Sequence, residues 1–432
     1  MKAKFKLPWS RRASTLKSVS HPQAVEDEAT ISSVLGAMAA EEHQAAPEAE
    51  PPAEAPNAQS LRFLPPALRN WFDPQDWRPL LPFLLITLSP LPFFLLVGFF
   101  GGAWSILALL WTTLALFVAD EVLLQSKTTL TDTDTDTDTD AAQMRGDRLS
   151  ILLAGVHFLL LPFAIWVLAG GAGLGFFAWI AAFLAFGLWF GQVANSTAHE
   201  LIHRSDRWPF WTGAWIFTSL LFGHHTSAHR LVHHRFVATP DDPNTAAEGE
   251  SFYTFALRAW PGAFVSGYEM ECNLQGRRTA AGLRNFNPYW IYVGGAVLWV
   301  FSVGYLFGID GVLAYLLLCA HAQLQLLLSD YVQHYGLLRR ETETGGLEPA
   351  GAAHSWDAPH PVSALLMLNA PRHADHHAHP ARPFPALQLA TGRGAPLLPF
   401  SLPVMATIAL VPRLWHRVMD RRLAALKAQW PL

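Results

Sequence analysis

The chain has little charge for its length. Only 15% of its 432 residues are Asp, Glu, Lys or Arg, whereas soluble globular proteins contain about 25%. The net charge is −4, so no basic excess indicates nucleic acid binding. Hydrophobic residues make up 51% of the chain. This composition excludes an ordinary soluble domain and indicates a membrane protein.

Cysteine is also scarce, since the chain has only Cys272 and Cys319. Two cysteines cannot supply the four thiolates of a rubredoxin-like or ferredoxin-like iron site, so we expect no such module within the chain. Because Cys272 lies in a polar segment and Cys319 in an apolar run, we expect no disulfide. We also expect no secretory signal peptide, because no apolar stretch follows the basic N-terminus.

Long apolar runs are abundant. About 20 apolar residues cross a hydrocarbon core of about 30 Å, and a backbone in lipid must satisfy its own hydrogen bonds, which favours helices. The sequence predicts an all-α fold in which six transmembrane helices form three hairpins under a cytoplasmic helical cap. The predicted spans cover residues 81–100, 102–120, 149–170, 173–194, 288–308 and 311–329.

Lysine and arginine predict the orientation and the domain limits. Both residues are absent from the three short turns that join paired spans, which places both termini and the long loops in the cytoplasm by the positive-inside rule. Residues 1–70, rich in Ala, Pro and Glu, are predicted to be a disordered N-terminal tail. The membrane domain would cover residues 75–415, and residues 416–432 would form a basic C-terminal tail.

Histidines cluster in the predicted cytoplasmic segments, in the motifs HELIH, HRLVHH, HYG and HADHH. Three of the motifs contain an i, i+4 pair, which shares one face of a helix and suits two imidazoles on one metal ion. The histidines are too many for one tetrahedral zinc and enough for two ions. The sequence therefore predicts a histidine-rich dinuclear metal site made of His199, His203, His229, His233, His234, His334, His373, His376 and His377.

The ligand type does not choose the metal, because imidazole suits zinc, copper, iron and nickel. A metal pair at the mouth of an apolar bundle implies a lipid-like substrate, and inert apolar substrates need oxygen activation, which favours iron. Carboxylates that hydrogen-bond the rings would orient them and offset the metal charge. The candidates for this role are Glu200, Asp241, Asp242, Asp330, Asp357 and Asp375.

These motifs resemble those of the integral-membrane alkane 1-monooxygenases, within the fatty acid desaturase and hydroxylase superfamily. The family pattern HE(L)xHK, EHxxGHHxxVATPEDPA, LQHYGL and LQRHSDHHxxP reads here HELIHR, AHRLVHHRFVATPDDPNTA, VQHYGL and APRHADHHAHP. The HYG element is the specific part, because desaturases usually lack it. The chain departs from the pattern at Ala228, Val232 and Arg204, where the family has Glu, Gly and Lys, but it keeps every motif histidine.

The resemblance implies a non-haem diiron monooxygenase that hydroxylates the terminal methyl of medium- or long-chain n-alkanes to 1-alkanols. It implies two iron ions on the nine histidines, O2 as co-substrate, and two electrons from a rubredoxin or ferredoxin with its reductase. The hydrocarbon would come from the bilayer, membrane lipid would be a partner, and nucleic acid would not. The implied location is the bacterial inner membrane, with several passes and the metal site on the cytoplasmic side.

Other functions stay open at this point. A fatty acid desaturase or hydroxylase and a xylene-type methyl monooxygenase share the histidine motifs. A membrane zinc metalloprotease would use HELIH, with Glu200 as general base. Within the favoured hypothesis, bulky residues of the second span are candidates for setting the chain length, namely Trp104, Trp111 and Phe117.

Overall fold

The computed structural model describes residues 74–123, 139–280, 286–343, 346–390 and 395–429. No strand occurs in these ranges, apart from two isolated bridges, so the all-α prediction is confirmed. The helices used below are α1 (Arg78–Phe100), α2 (Ala103–Val122), α3 (Asp140–Gly171), α4 (Phe176–Ile202), α5 (Arg207–Ser219), α6 (225–236), α7 (Phe252–Ala280), α8 (Tyr289–His334), α9 (Pro361–Leu366), α10 (His373–Ala378), α11 (Leu402–Ala409) and α12 (Pro412–Gln429).

Five helices of the described ranges are long and apolar enough to cross a membrane, namely α1, α2, α3, α4 and α8. They overlap all six predicted spans, and the 46-residue α8 overlaps both of the last two. The count of six crossings and the cytoplasmic position of the cap stay predictions.

The chain reverses direction within α8. Gly308 has φ +68° and ψ −164°, a backbone conformation that only glycine adopts readily. The rings of Trp299 and Tyr315, sixteen residues apart, have centroids 6.5 Å apart, whereas a straight helix would separate them by about 24 Å. The two arms of α8, before and after Gly308, therefore run antiparallel, as the predicted third hairpin requires.

The segment between α4 and α8 is more helical than its polar composition indicates. Its 13-residue α5 and 29-residue α7 are not among the six predicted spans. Residues 416–429, expected to be a tail, continue α12, whose Trp415, Met419 and Leu423 are fully buried. The predicted tail at residues 1–70 lies outside the described residues.

Close contacts fix α4 against its neighbours. A Cβ on Gly213 of α5 would lie only 2.7 Å from the carbonyl oxygen of Ala198, so glycine lets α5 approach α4. Near the same end of α4, the Asn195 amide donates to the Ala322 carbonyl at 2.9 Å. These contacts hold the end of α4, with the first histidine motif, beside the second arm of α8.

Candidate metal centre

The structure gathers all nine predicted histidines into two adjacent groups. Within each group, one ring nitrogen per residue lies within 4.8 Å of the others. The groups touch, because the rings of His234 and His377 have centroids 4.6 Å apart. The first group contains His199, His203, His229, His234 and His376, and the second contains His233, His334, His373 and His377.

The HELIH motif behaves as its spacing predicts. His199 and His203, one turn apart at the end of α4, both belong to the first group. The Nε2 atom of each faces Nε2 of His229, at 2.9 and 3.1 Å respectively.

In the second motif, the i, i+4 pair does not fall in one group, although its spacing suits two imidazoles on one ion. His229 and His233 fall in different groups, and His229 joins His234 instead, with 2.9 Å between their Nε2 atoms. The reason is local, because residues His229–His233 form a π-helical turn, in which the backbone hydrogen bonds connect i to i+5. Because of this wider turn, His234 lies on the same face as His229, and His233 lies in the second group.

The HADHH and HYG motifs complete both groups. His373 and His377 share the second group as an i, i+4 pair, with 3.0 Å between their Nε2 atoms. His334, at the end of α8, lies 3.1 Å from His373 in the same way. His376 faces across to His234 of the first group, at 3.1 Å.

The contacts around His229 fit a metal ion better than hydrogen bonds. Its Nε2 lies 2.9–3.1 Å from three other ring nitrogens, yet a neutral imidazole has one N–H and one lone pair. One nitrogen cannot satisfy three such partners by hydrogen bonding. Nitrogens about 2.1 Å from one metal ion and at right angles to each other would be about 3.0 Å apart, which matches these distances.

Burial keeps the rings in the form that binds metal. It lowers the pKa of His229, His234 and His376 well below the usual value, and neighbouring rings lower it further. Metal ligation requires neutral imidazole. Two rings of the second group behave alike, since burial lowers the pKa of His373 and His377 well below the usual value.

His233 is the exception, because a carboxylate faces it. Its Nδ1 donates to Asp242 Oδ2 at 2.8 Å, which leaves Nε2 for the metal centre. Burial alone would lower the pKa of His233, but the charge and hydrogen bond of Asp242 raise it. Asp242 is itself fixed by the hydroxyl of Thr245 at 2.7 Å. A carboxylate behind a ligating ring orients the ring and strengthens it as a ligand.

The other five candidate carboxylates do not contact the clustered rings in this way. Glu200 pairs with Arg204 and accepts the backbone N–H of Phe384, so it is not free to serve as a hydrolytic base. Asp330 accepts from the Asn244 amide at 2.5 Å. Asp241 is exposed. The two remaining carboxylates, Asp357 and Asp375, hold the backbone and the flank of the HADHH motif.

Sequence reasoning missed one hydrogen-bond acceptor of the site. The Nδ1 of His334 donates to the carbonyl oxygen of His354 at 3.2 Å, which fixes the ring so that Nε2 faces the second group. A backbone carbonyl leaves no mark in residue type, so no sequence signal could have identified it.

A cavity of about 90 Å³ opens beside both groups and is bordered by His199, His229 and His373. Its other walls come from α4, the second arm of α8, the residues after α9, and α11. None of Trp104, Trp111 and Phe117 borders it. Small residues of the last two walls, Ala370 and Ala406, were not singled out by the sequence.

The family model for fatty acid desaturase matches residues 174–409, which include all four histidine motifs. The chain belongs to the fatty acid desaturase family. It is 32% identical to alkane 1-monooxygenase 1 of Alcanivorax borkumensis and 33% identical to alkane 1-monooxygenase of Ectopseudomonas oleovorans, over 63% of this chain and 67% of each relative. It is 25% identical to the xylene/toluene monooxygenase hydroxylase component of Pseudomonas putida, over 54% of this chain and 60% of that relative.

Within this desaturase family the chain falls in the alkane 1-monooxygenase branch, as its motifs predict. It is therefore an oxidoreductase of the monooxygenase type. With its apolar helices, it is a multi-pass membrane protein.

Proposed function

We propose that this monooxygenase hydroxylates the terminal methyl of medium- or long-chain n-alkanes at a non-haem diiron centre held by the nine histidines. The overall reaction is RH + O2 + 2 e⁻ + 2 H⁺ → ROH + H2O. The observation that carries the proposal is the pair of adjacent histidine groups bordering a cavity. The names of the alkane 1-monooxygenase relatives support the substrate class.

Iron fits this donor set. Imidazole nitrogens suit iron, and zinc has no redox chemistry to offer O2. Bound iron would supply the activation of O2, and the protein would supply positioning. Asp242 holds the ring of His233, and the His354 carbonyl holds the ring of His334. Two rings of the second group are therefore fixed in orientation. The cavity would place a chain end beside both groups, which favours attack at one carbon.

The two electrons are proposed to come from a separate rubredoxin or ferredoxin with its reductase, docking on the cytoplasmic side of the bacterial inner membrane. Arg235 supports a docking place, because it is exposed and adjoins His234 of the first group. Arg204 does not, because its guanidinium is buried against Asp147 at 2.5 Å and against Glu200.

The cavity also favours a linear chain over a ring. An apolar cavity of about 150 Å³ holds benzene, whereas this cavity has about 90 Å³. A terminal methyl with its next few carbons fits this volume better than a xylene.

One experiment tests the site and the reaction together. His376 belongs to the first group, whereas His379, three residues later, is 53% exposed at its side chain and belongs to neither. In membranes with O2, NADH, rubredoxin or ferredoxin and the reductase, we expect octane and dodecane to give 1-alkanols in the wild type and in His379→Ala. We expect His376→Ala to lose iron and product, by about 100-fold or more for product.

Iron content and product identity are measured on the same preparations. Two iron atoms per chain and 1-alkanol would support the proposal. One zinc per chain, an alkene, or product from xylene but from no alkane would each contradict it.

A further inference from the structure

We infer that hydrocarbon reaches the histidine groups sideways, through a mouth between α4, the second arm of α8 and α11, and that Ala406 of α11 controls this entry. The inference rests on the proposed function for its substrate class. It goes beyond that function in naming the route and the residue that limits it.

Three helices contribute partly exposed residues to the lining of the cavity. Gly191 of α4, Gln325 of α8 and Ala406 of α11 border it and are each partly exposed. By contrast, its inner wall is buried, as at His229 and Asp330. Gly191 and Gln325 lie within helices long and apolar enough to span a membrane, so the opening faces the region that lipid occupies. A hydrocarbon dissolved in the bilayer can enter there without crossing water.

Three polar side chains of the wall already have hydrogen-bond partners, so they do not oppose an apolar occupant. The Gln325 amide donates to the Gly187 carbonyl at 2.8 Å, and the Asn195 amide donates to the Ala322 carbonyl at 2.9 Å. Deeper in the cavity, the Ser329 hydroxyl donates to Gln333 at 2.8 Å. Because these groups already have partners, a hydrocarbon beside them leaves them satisfied.

Part of the lining is apolar. Leu326, Met367 and Leu402 are buried there. At about 90 Å³ the cavity is smaller than the apolar cavity of about 150 Å³ that holds benzene, so it holds only the end of an alkyl chain. The remaining carbons of the alkane must pass the mouth and lie against lipid. The side chain at position 406 then contacts the alkane.

Position 407 provides a matched control on the same helix. Ala406 borders the cavity, whereas Thr407 is exposed and does not border it. The segment is anchored independently of either side chain, because the backbone N–H of Ser401 donates to Glu121 at 2.6 Å. A change at 406 should therefore act on the mouth, and the same change at 407 should not.

The first test is independent of turnover. In a Cys272→Ser background, which leaves only the buried Cys319, purified Ala406→Cys and Thr407→Cys variants are labelled with a small maleimide. Dodecane at ten times its Kd leaves about one tenth of the sites free, so labelling at 406 should slow about tenfold. Labelling at 407 should not change.

The second test uses Ala406→Phe and Thr407→Phe. With iron content equal to wild type, Ala406→Phe should convert octane and dodecane about tenfold more slowly or worse, and Thr407→Phe should match wild type. Protection at 406 without any alkanol from wild type would support the entry route while contradicting the proposed reaction. Unprotected labelling at 406, or wild-type turnover in a folded Ala406→Phe variant, would overturn the inference.

Discussion

At the scale of single residues, the two histidine groups differ in what stands behind them. In the second group, His233 has a carboxylate partner and His334 has a carbonyl partner. In the first group, the Nδ1 atoms of His229 and His234 are buried and have no hydrogen-bond partner among the described residues. The Nδ1 atoms of His373 and His377 in the second group are buried without a partner in the described ranges as well. The difference therefore rests on His233 and His334, and among the described residues the direct carboxylate contact lies in the second group, at His233.

We predict that Asp242→Asn weakens iron binding at the second group by about 10- to 100-fold, the usual effect of losing such a carboxylate. The amide can still accept a hydrogen bond, but it has no charge to offset that of the metal. Competition with a chelator would measure this as early loss of one of two iron atoms per chain.

The neighbouring Asp241→Asn variant is the control for that prediction, because Asp241 is exposed and touches no clustered ring. If both variants lose iron at the same chelator concentration, the role assigned to Asp242 is wrong.

At the scale of helices, spacing predicted which histidines belong together in two motifs and misled in the third. His199 with His203 and His373 with His377 keep the i, i+4 pairing of an ideal helix. The π-helical turn at His229–His233 breaks it. A π turn costs hydrogen-bond geometry and is retained where the surroundings favour it, and these surroundings come from other parts of the chain. Residue type alone could not predict it.

We predict that Gly213→Ala destabilises the site through helix packing. A Cβ at 213 would lie 2.7 Å from the Ala198 carbonyl and 2.8 Å from Leu201, next to His199. Overpacking of this kind costs about 1–3 kcal/mol. The apparent melting temperature and the iron content should both fall.

Gly155→Ala in α3 is the matched control, because nothing lies within 4 Å of the added carbon. Alanine favours a helix over glycine by about 1 kcal/mol, so this variant should be as stable as wild type or more so. Equal melting temperatures for both variants would contradict the close packing of α5 on α4.

At the scale of the whole membrane domain, the sequence predicted most of the long apolar helices but not how the helices pack against each other. Apolar length predicted helices wherever the chain is uniformly hydrophobic, as in α3 and α4. It failed for α7, whose 29 residues mix apolar and charged positions. The position of Ala406 in the cavity wall depends on where α11 packs. A hydrogen bond from the Ser401 backbone N–H to Glu121, at the end of α2 and 280 positions away in the sequence, fixes the start of α11. No local pattern encodes such a contact.

Because the histidines come from four segments between residues 199 and 377, we predict that metal binding stabilises the domain as a whole. At a free metal concentration a thousandfold above Kd, binding to the folded state alone contributes about 4 kcal/mol. Chelation should therefore lower the apparent melting temperature by several degrees, and restored iron should reverse the loss.

Zinc separates this structural effect from the chemistry. Zinc binds imidazole but has no redox activity, so zinc-loaded protein should regain the melting temperature and form no alkanol. The metal-dependent shift should persist in His379→Ala and shrink in His376→Ala, because only His376 belongs to a group. If chelation leaves the melting temperature unchanged while iron is removed, the four segments are held together by packing alone, and metal binding does not stabilise the fold.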